Sequence, residues 1–160
     1  TELFHEIRLQ FHPSGPNYEL STSYHRLTTE LILSALCLLK QAGEFIPPDI
    51  WYRAEKAIEY IHSYTRPDGT VPQIGDADDG RLHIFGKYIG CKRNDHRYLL
   101  ALGHVLFNRE EWAQEEPVLY QDAAYLLNDP EAISRALLAN QLWAATWSMR
   151  QSMVVVSVGS

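Results

Sequence analysis

Residues 21–43 read STSYHRLTTELILSALCLLKQAG, and this stretch decides the fold class. From Ser21 to Leu39 the residues Tyr24, Leu27, Leu31, Ala35 and Leu38 recur at steps of three and four, the period of an α-helix with an apolar stripe. Leu33, Leu36, Cys37 and Leu39 fill a second face, which predicts a helix buried on more than one side. Ser21 or Ser23 can cap its start, and Gly43 stands where a helix end takes a left-handed residue.

Working outward, a second helix follows Pro47-Pro48, with Asp49 in its first turn and Ile50, Ala54, Ala57, Ile58, Ile61 and Tyr64 as its apolar positions. It ends before Arg66-Pro-Asp-Gly69, a turn in which Pro fixes φ and Gly supplies positive φ. A polar loop rich in Gly and Asp occupies 68–80. Further helices are predicted over 95–106, 117–127 and 130–143, the last with Asp129 as N-cap and Pro130 in its first position. The run Met153-Val-Val-Val156 reads as a strand. The first two helices form a hairpin with a short connection, the unit of α-solenoids and α/α toroids, although no repeated sequence is visible. The expected class is therefore all-α, built of antiparallel helix hairpins, with β structure at the C-terminal edge.

Composition narrows the function. Of the 160 residues 46% are apolar and 21% charged, an ordinary globular balance. The formal charge of −6 offers no basic footprint for nucleic acid and no general attraction for an acidic polymer. Cys37 and Cys91 are too few for a disulfide framework or a metal motif, and Cys37 reads as a buried thiol. No stretch has the length of a membrane span. The chain opens at Thr1, without Met, and stops at Gly159-Ser160 after the β-like run, which reads as a fragment of a longer protein.

Three groups of residues could carry chemistry. The first is Gly15-Pro-Asn-Tyr-Glu-Leu-Ser-Thr-Ser-Tyr-His-Arg26, where a turn feeds polar residues into a helix start whose free N–H groups suit anions. Tyr24, His25 and Arg26 sit in its first turns and point in different directions; the plainer alternative is a capped helix with a half-buried Tyr and two solvated basic residues. The second is the loop carrying Asp76, Asp78 and Asp79. It lacks the bidentate Glu of a calcium hand beyond Gly80, so a loop stiffened by Asp–backbone bonds fits better, and no metal or cofactor is expected. The third pairs carboxylates, Glu19 with Asp76 or Asp78, as the acid and base of a glycosidase. Trp51, Trp112, Trp143 and Trp147 lie in or beside helices and read as core.

The string Tyr18-Glu-Leu-Ser-Thr-Ser-Tyr-His25, opening a long apolar helix after Ser14-Gly15, resembles the N-terminal α/α-toroid domain of heparinase II/III-like polysaccharide lyases. Some fifty residues on, Pro72-Gln-Ile-Gly-Asp76 resembles a second phrase of that family, in the same order. The run Met149-Arg-Gln-Ser-Met-Val-Val-Val156 resembles the entry to its β-sandwich domain. The resemblance divides the chain into a partial toroid over 1–148 and a truncated β-sandwich over 149–160. It implies β-elimination on an acidic, uronic-acid-containing polysaccharide by a bacterial enzyme exported to the periplasm or beyond. A base removes the C5 proton of a uronate and the C4 oxygen leaves. The uronate carboxylate must be neutralised, the proton taken and the leaving oxygen protonated.

By the same resemblance Tyr24 is the catalytic acid and in many relatives also the base, with Glu19, His25, Arg26 and Asp76 as substrate-binding residues. A phenol with a pKa near 10 is an acid at neutral pH and needs cationic neighbours to act as a base. The family's carboxylate-binding Asn has no counterpart in residues 1–12, and its downstream catalytic His belongs to the β-sandwich, so the isolated chain is expected to be inactive. Two other functions stay open: a non-catalytic carbohydrate-binding or assembly protein on the same scaffold, and a toroid glycosidase using paired carboxylates.

Overall fold

A computed structural model of the chain describes residues 1–77, 80–83, 94–134 and 137–138. Asp78, Asp79, Cys91, Trp143, Trp147 and the β-like run at 149–160 lie outside the described residues. Within them the architecture is helical: α1 (Glu2–Gln10), α2 (Thr22–Gln41), α3 (Pro48–Tyr64), α4 (Arg97–Phe107) and α5 (Gln121–Leu127), with 3-10 turns at Glu110–Trp112 and Pro117–Tyr120. Residues 130–134 are helical, with the Asp129 carboxylate accepting from the Ala132 N–H at 2.9 Å as the expected N-cap. Among the described residues there is no strand, only isolated bridges pairing Phe11 with Asn17 and Thr70 with Asp95.

Contacts along α2, α3 and α4 show their directions. His25, at the start of α2, packs on Tyr60 and Tyr64 near the end of α3, while Lys40, at the end of α2, lies over the Trp51 ring near the start of α3. Likewise Tyr64 meets His96 at the start of α4, and Trp51 meets Phe107 at its end. The three helices therefore run antiparallel in succession. The turn between α2 and α3 is a Schellman ending: Gly43 takes φ 75°, its N–H donates to Lys40 O at 3.1 Å, and the Glu44 N–H donates to Leu39 O at 2.9 Å.

The core is one apolar cluster in which Leu33, Leu36, Ile50, Ala54, Ala57, Ile58, Ile61 and Ala101 are fully buried. The expected apolar stripe of α2 is corrected here. Leu31 and Leu38 are 44% and 62% exposed, and Tyr24, Leu27 and Ala35 are half-buried. The buried side of α2 carries Ile32, Leu33, Leu36 and Cys37 together with Thr22, His25, Arg26, Thr29, Glu30 and Ser34. Leucine at a four-residue step reports helix, not which face is inside. Burial pushes the Cys37 thiol up to about 11, so it is an inert core group. Trp112 is buried and Trp51 half-buried, and among the described residues no helix is long and apolar enough to cross a membrane.

Between α1 and α2 the chain makes a tight reversal. The His12 N–H donates to Pro16 O at 2.9 Å and the Tyr18 N–H to Gln10 O at 3.0 Å. Gly15 sits at φ 114° directly against α3, where an added Cβ would lie 2.2 Å from the Lys56 carbonyl oxygen. No side chain fits in either respect. Gly15→Ala should lower stability by about 3 kcal/mol in denaturant unfolding, since strain and overpacking add.

Candidate functional site

The start of α2 is built by four residues. Leu20 turns the chain through a left-handed conformation at φ 56° with its side chain 70% exposed. Ser21 follows as N-cap, its Oγ accepting from the Tyr24 N–H at 3.2 Å and donating to the Asp76 carbonyl at 2.8 Å. The Thr22 N–H donates to Ile74 O at 3.0 Å. The Thr22 hydroxyl donates to Pro72 O at 3.0 Å and accepts from the Ile74 N–H at 3.2 Å. Gly75, at φ 72°, lies so close that an added Cβ would stand 3.0 Å from Ser21 Cα. The two phrases that the sequence separates by fifty residues thus meet at one helix end.

The contact continues down α2. Arg26 Nη2 donates to Gly80 O at 2.7 Å. The Glu30 carboxylate accepts from the Leu82 N–H at 3.2 Å and the His83 N–H at 3.1 Å. Ser34 Oγ pairs with His83 Nε2 at 2.9 Å. Thr22, Arg26, Glu30 and Ser34 are spaced by four, so they form one stripe drifting by roughly 40° per step. Residues 72–77 and 80–83 lie along this stripe as a strap, parallel to α2.

Around Glu30 the interior is charged. Its carboxylate also accepts from the Tyr98 hydroxyl at 3.3 Å, with Arg26 Nη1 at 3.9 Å and Arg81 Nε at 4.0 Å. Arg81 stacks on the Tyr98 ring, 3.9 Å from guanidinium carbon to centroid, and donates to Asp122 on α5 at 2.8 Å. Burial raises the Asp122 carboxyl and the Tyr98 phenol above their ordinary ranges.

Each expected site residue has a distinct place. Tyr24 is half-buried in the first turn, and among the described residues nothing hydrogen-bonds its hydroxyl. Glu19 and Asp76 are exposed on the two segments that meet there. His25 and Arg26 lie inside, 1% and 3% exposed. The Asn17 N–H donates to His25 Nδ1 at 3.1 Å, and Nε2–H donates to Ala57 O at 2.9 Å, which defines a neutral ring with both nitrogens engaged. Arg26 spends its guanidinium on the strap and on Tyr98. Neither is a solvated basic residue. The cleft of about 570 Å³ lined by His62, Arg66, Arg97 and Glu116 involves none of these residues.

Glu30, Arg81, Tyr98, His83 and Asp122 were not legible as a group. The available signal is Glu30 and Ser34, four residues apart and the two polar residues in the otherwise apolar run 30–39, where solvated residues are out of pattern.

The sequence pattern of the family described as Heparinase II/III N-terminus matches residues 1–90, which include α1 to α3 and the strap. The chain belongs to that family. No curated protein and no solved structure matches it.

Burial holds the His25 imidazole down at about 4, against the opposing effect of its bond to Ala57. Because the folded value lies below the unfolded one, the unfolded chain binds the extra proton first as pH falls. Stability is then full above about 6.5 and is lost between there and about 4, by on the order of 3 kcal/mol. Equilibrium unfolding from pH 7 to 4 should show this loss, and His25→Gln, less stable at pH 7, should have a flatter profile across that window.

Proposed function

We propose that the chain is the tyrosine-bearing part of a polysaccharide lyase that cleaves a uronic-acid-containing polymer by β-elimination, on an (α/α) toroid of which α2 and α3 form one hairpin. The observation that carries this reading is the meeting of the two family phrases at the start of α2, with a half-buried Tyr24 in that turn and its hydroxyl unengaged among the described residues. Membership of the family supports the same reading.

In this mechanism Tyr24 donates its phenolic proton to the departing C4 oxygen and, in the ionised form, takes the C5 proton. Glu19 and Asp76, exposed on either side, accept hydrogen bonds from sugar hydroxyls. His25 and Arg26 act from inside, His25 by tying the Asn17 turn to α3 and Arg26 by tying the strap to α2. The group that neutralises the uronate carboxylate is assigned to none of these residues. Export to the periplasm or the cell exterior accompanies such a substrate.

The test uses the full-length protein and a panel of polyuronates. Elimination leaves a conjugated double bond that absorbs in the ultraviolet, whereas hydrolysis or simple binding does not. Tyr24→Phe should keep its melting temperature and lose turnover by about 10²-fold or more. A folded, fully active Tyr24→Phe, or a wild-type protein that leaves absorbance flat across the panel, would overturn the assignment.

A further inference from the structure

We infer that Glu30 is a positioning residue for substrate: from the interior of α2 it sets the register of the strap and so holds Asp76 at the helix start beside Tyr24. This rests on the lyase reading for its kinetic arm and on geometry for the rest.

Glu30 is 2% exposed, a site where a leucine would serve packing at lower cost in desolvation. Its carboxylate instead divides between two successive strap amides, Oε1 to His83 and Oε2 to Leu82. One step earlier on the stripe Arg26 donates to the Gly80 carbonyl. A donor at 26 and an acceptor at 30 match a strap carbonyl at 80 and strap N–H groups at 82 and 83. A slip by one residue would set like groups against one another and leave buried polar atoms unpaired. Arg81 Nε and Arg26 Nη1 lie 4.0 and 3.9 Å from the carboxylate, whose two oxygens have room for several donors.

Only Ala77 to Asp79 separate the pinned segment at 80–83 from Asp76, whose own carbonyl is held by Ser21. Position of the Asp76 carboxylate therefore depends on both ends of the strap. Asp76 is placed by the function proposed above on the substrate, so loosening Glu30 should weaken binding more than it slows chemistry.

In the full-length protein, Glu30→Gln keeps one acceptor and loses the charge. It should raise KM for the polyuronate about five- to tenfold with kcat within about twofold, and speed amide exchange at Leu82 and His83. The decisive measurement is the cycle with Asp76→Asn. If Glu30 acts through Asp76, Glu30→Gln adds no further rise in KM in that background. An unchanged KM in folded Glu30→Gln, or effects that add fully, would overturn the inference. Should Glu30→Gln fail to fold, Glu30→Asp, which keeps the charge and draws the carboxylate back from the Leu82 and His83 amides, enters the same cycle with the same criteria. If wild-type protein cleaves nothing but binds the polymer in calorimetry, the lyase reading falls and the cycle is read on Kd instead. A wild-type protein that neither cleaves nor binds any polymer of the panel overturns both.

Discussion

An α-helix begins with backbone N–H groups that its own turns cannot satisfy, and the start of α2 meets that need from fifty residues away. The Ile74 carbonyl takes the Thr22 N–H, and Ser21 takes the Tyr24 N–H while reaching to the Asp76 carbonyl. The cap of the helix and the anchorage of the loop are therefore one set of bonds. Tyr24, Asp76 and the approach through Leu20 inherit their positions from it. Gly75 belongs to the same constraint, because any side chain there would push against Ser21.

Further along, the pairing changes from neutral to charged. Arg26, Glu30, Arg81 and Asp122 place two positive and two negative groups in the interior between α2, the strap, α4 and α5. Such clusters do not add much stability, since the loss of hydration offsets most of the attraction. What they supply is register: backbone polar atoms of an irregular segment find partners in one alignment only. The half-buried Tyr24 thus sits on a helix gripped along its other face, with its own side left to solvent at Leu31 and Leu38.

The fold class was legible because it depends on local signals. Ser21, Gly43, Pro48 and Asp129 mark helix ends through backbone chemistry that requires no knowledge of neighbours, and all four stand at the boundaries found. The inner face of α2 was not legible, since Leu27, Leu31 and Leu38 advertise a core side that tertiary packing does not use. His25 and Arg26 looked like solvated basic residues; their burial depends on Asn17, Ala57, Gly80 and Tyr98, partners that sequence proximity does not reveal. Resemblance supplied the two phrases that hold Tyr24 and Asp76, and the geometry brings those phrases together at one helix end.

The separation in sequence between the strap and its stripe has a consequence for the order of assembly. The α2–α3 hairpin closes over the six residues 42–47, whereas the bonds from Ser21, Thr22, Arg26, Glu30 and Ser34 span 49 to 55 positions. Loop closure over the longer span costs more entropy and comes later. During synthesis the hairpin can exist before residues 72–83 have been made, with the first turn of α2 short of its partners. The hairpin is then a local, early structure, and the candidate site matures only after it.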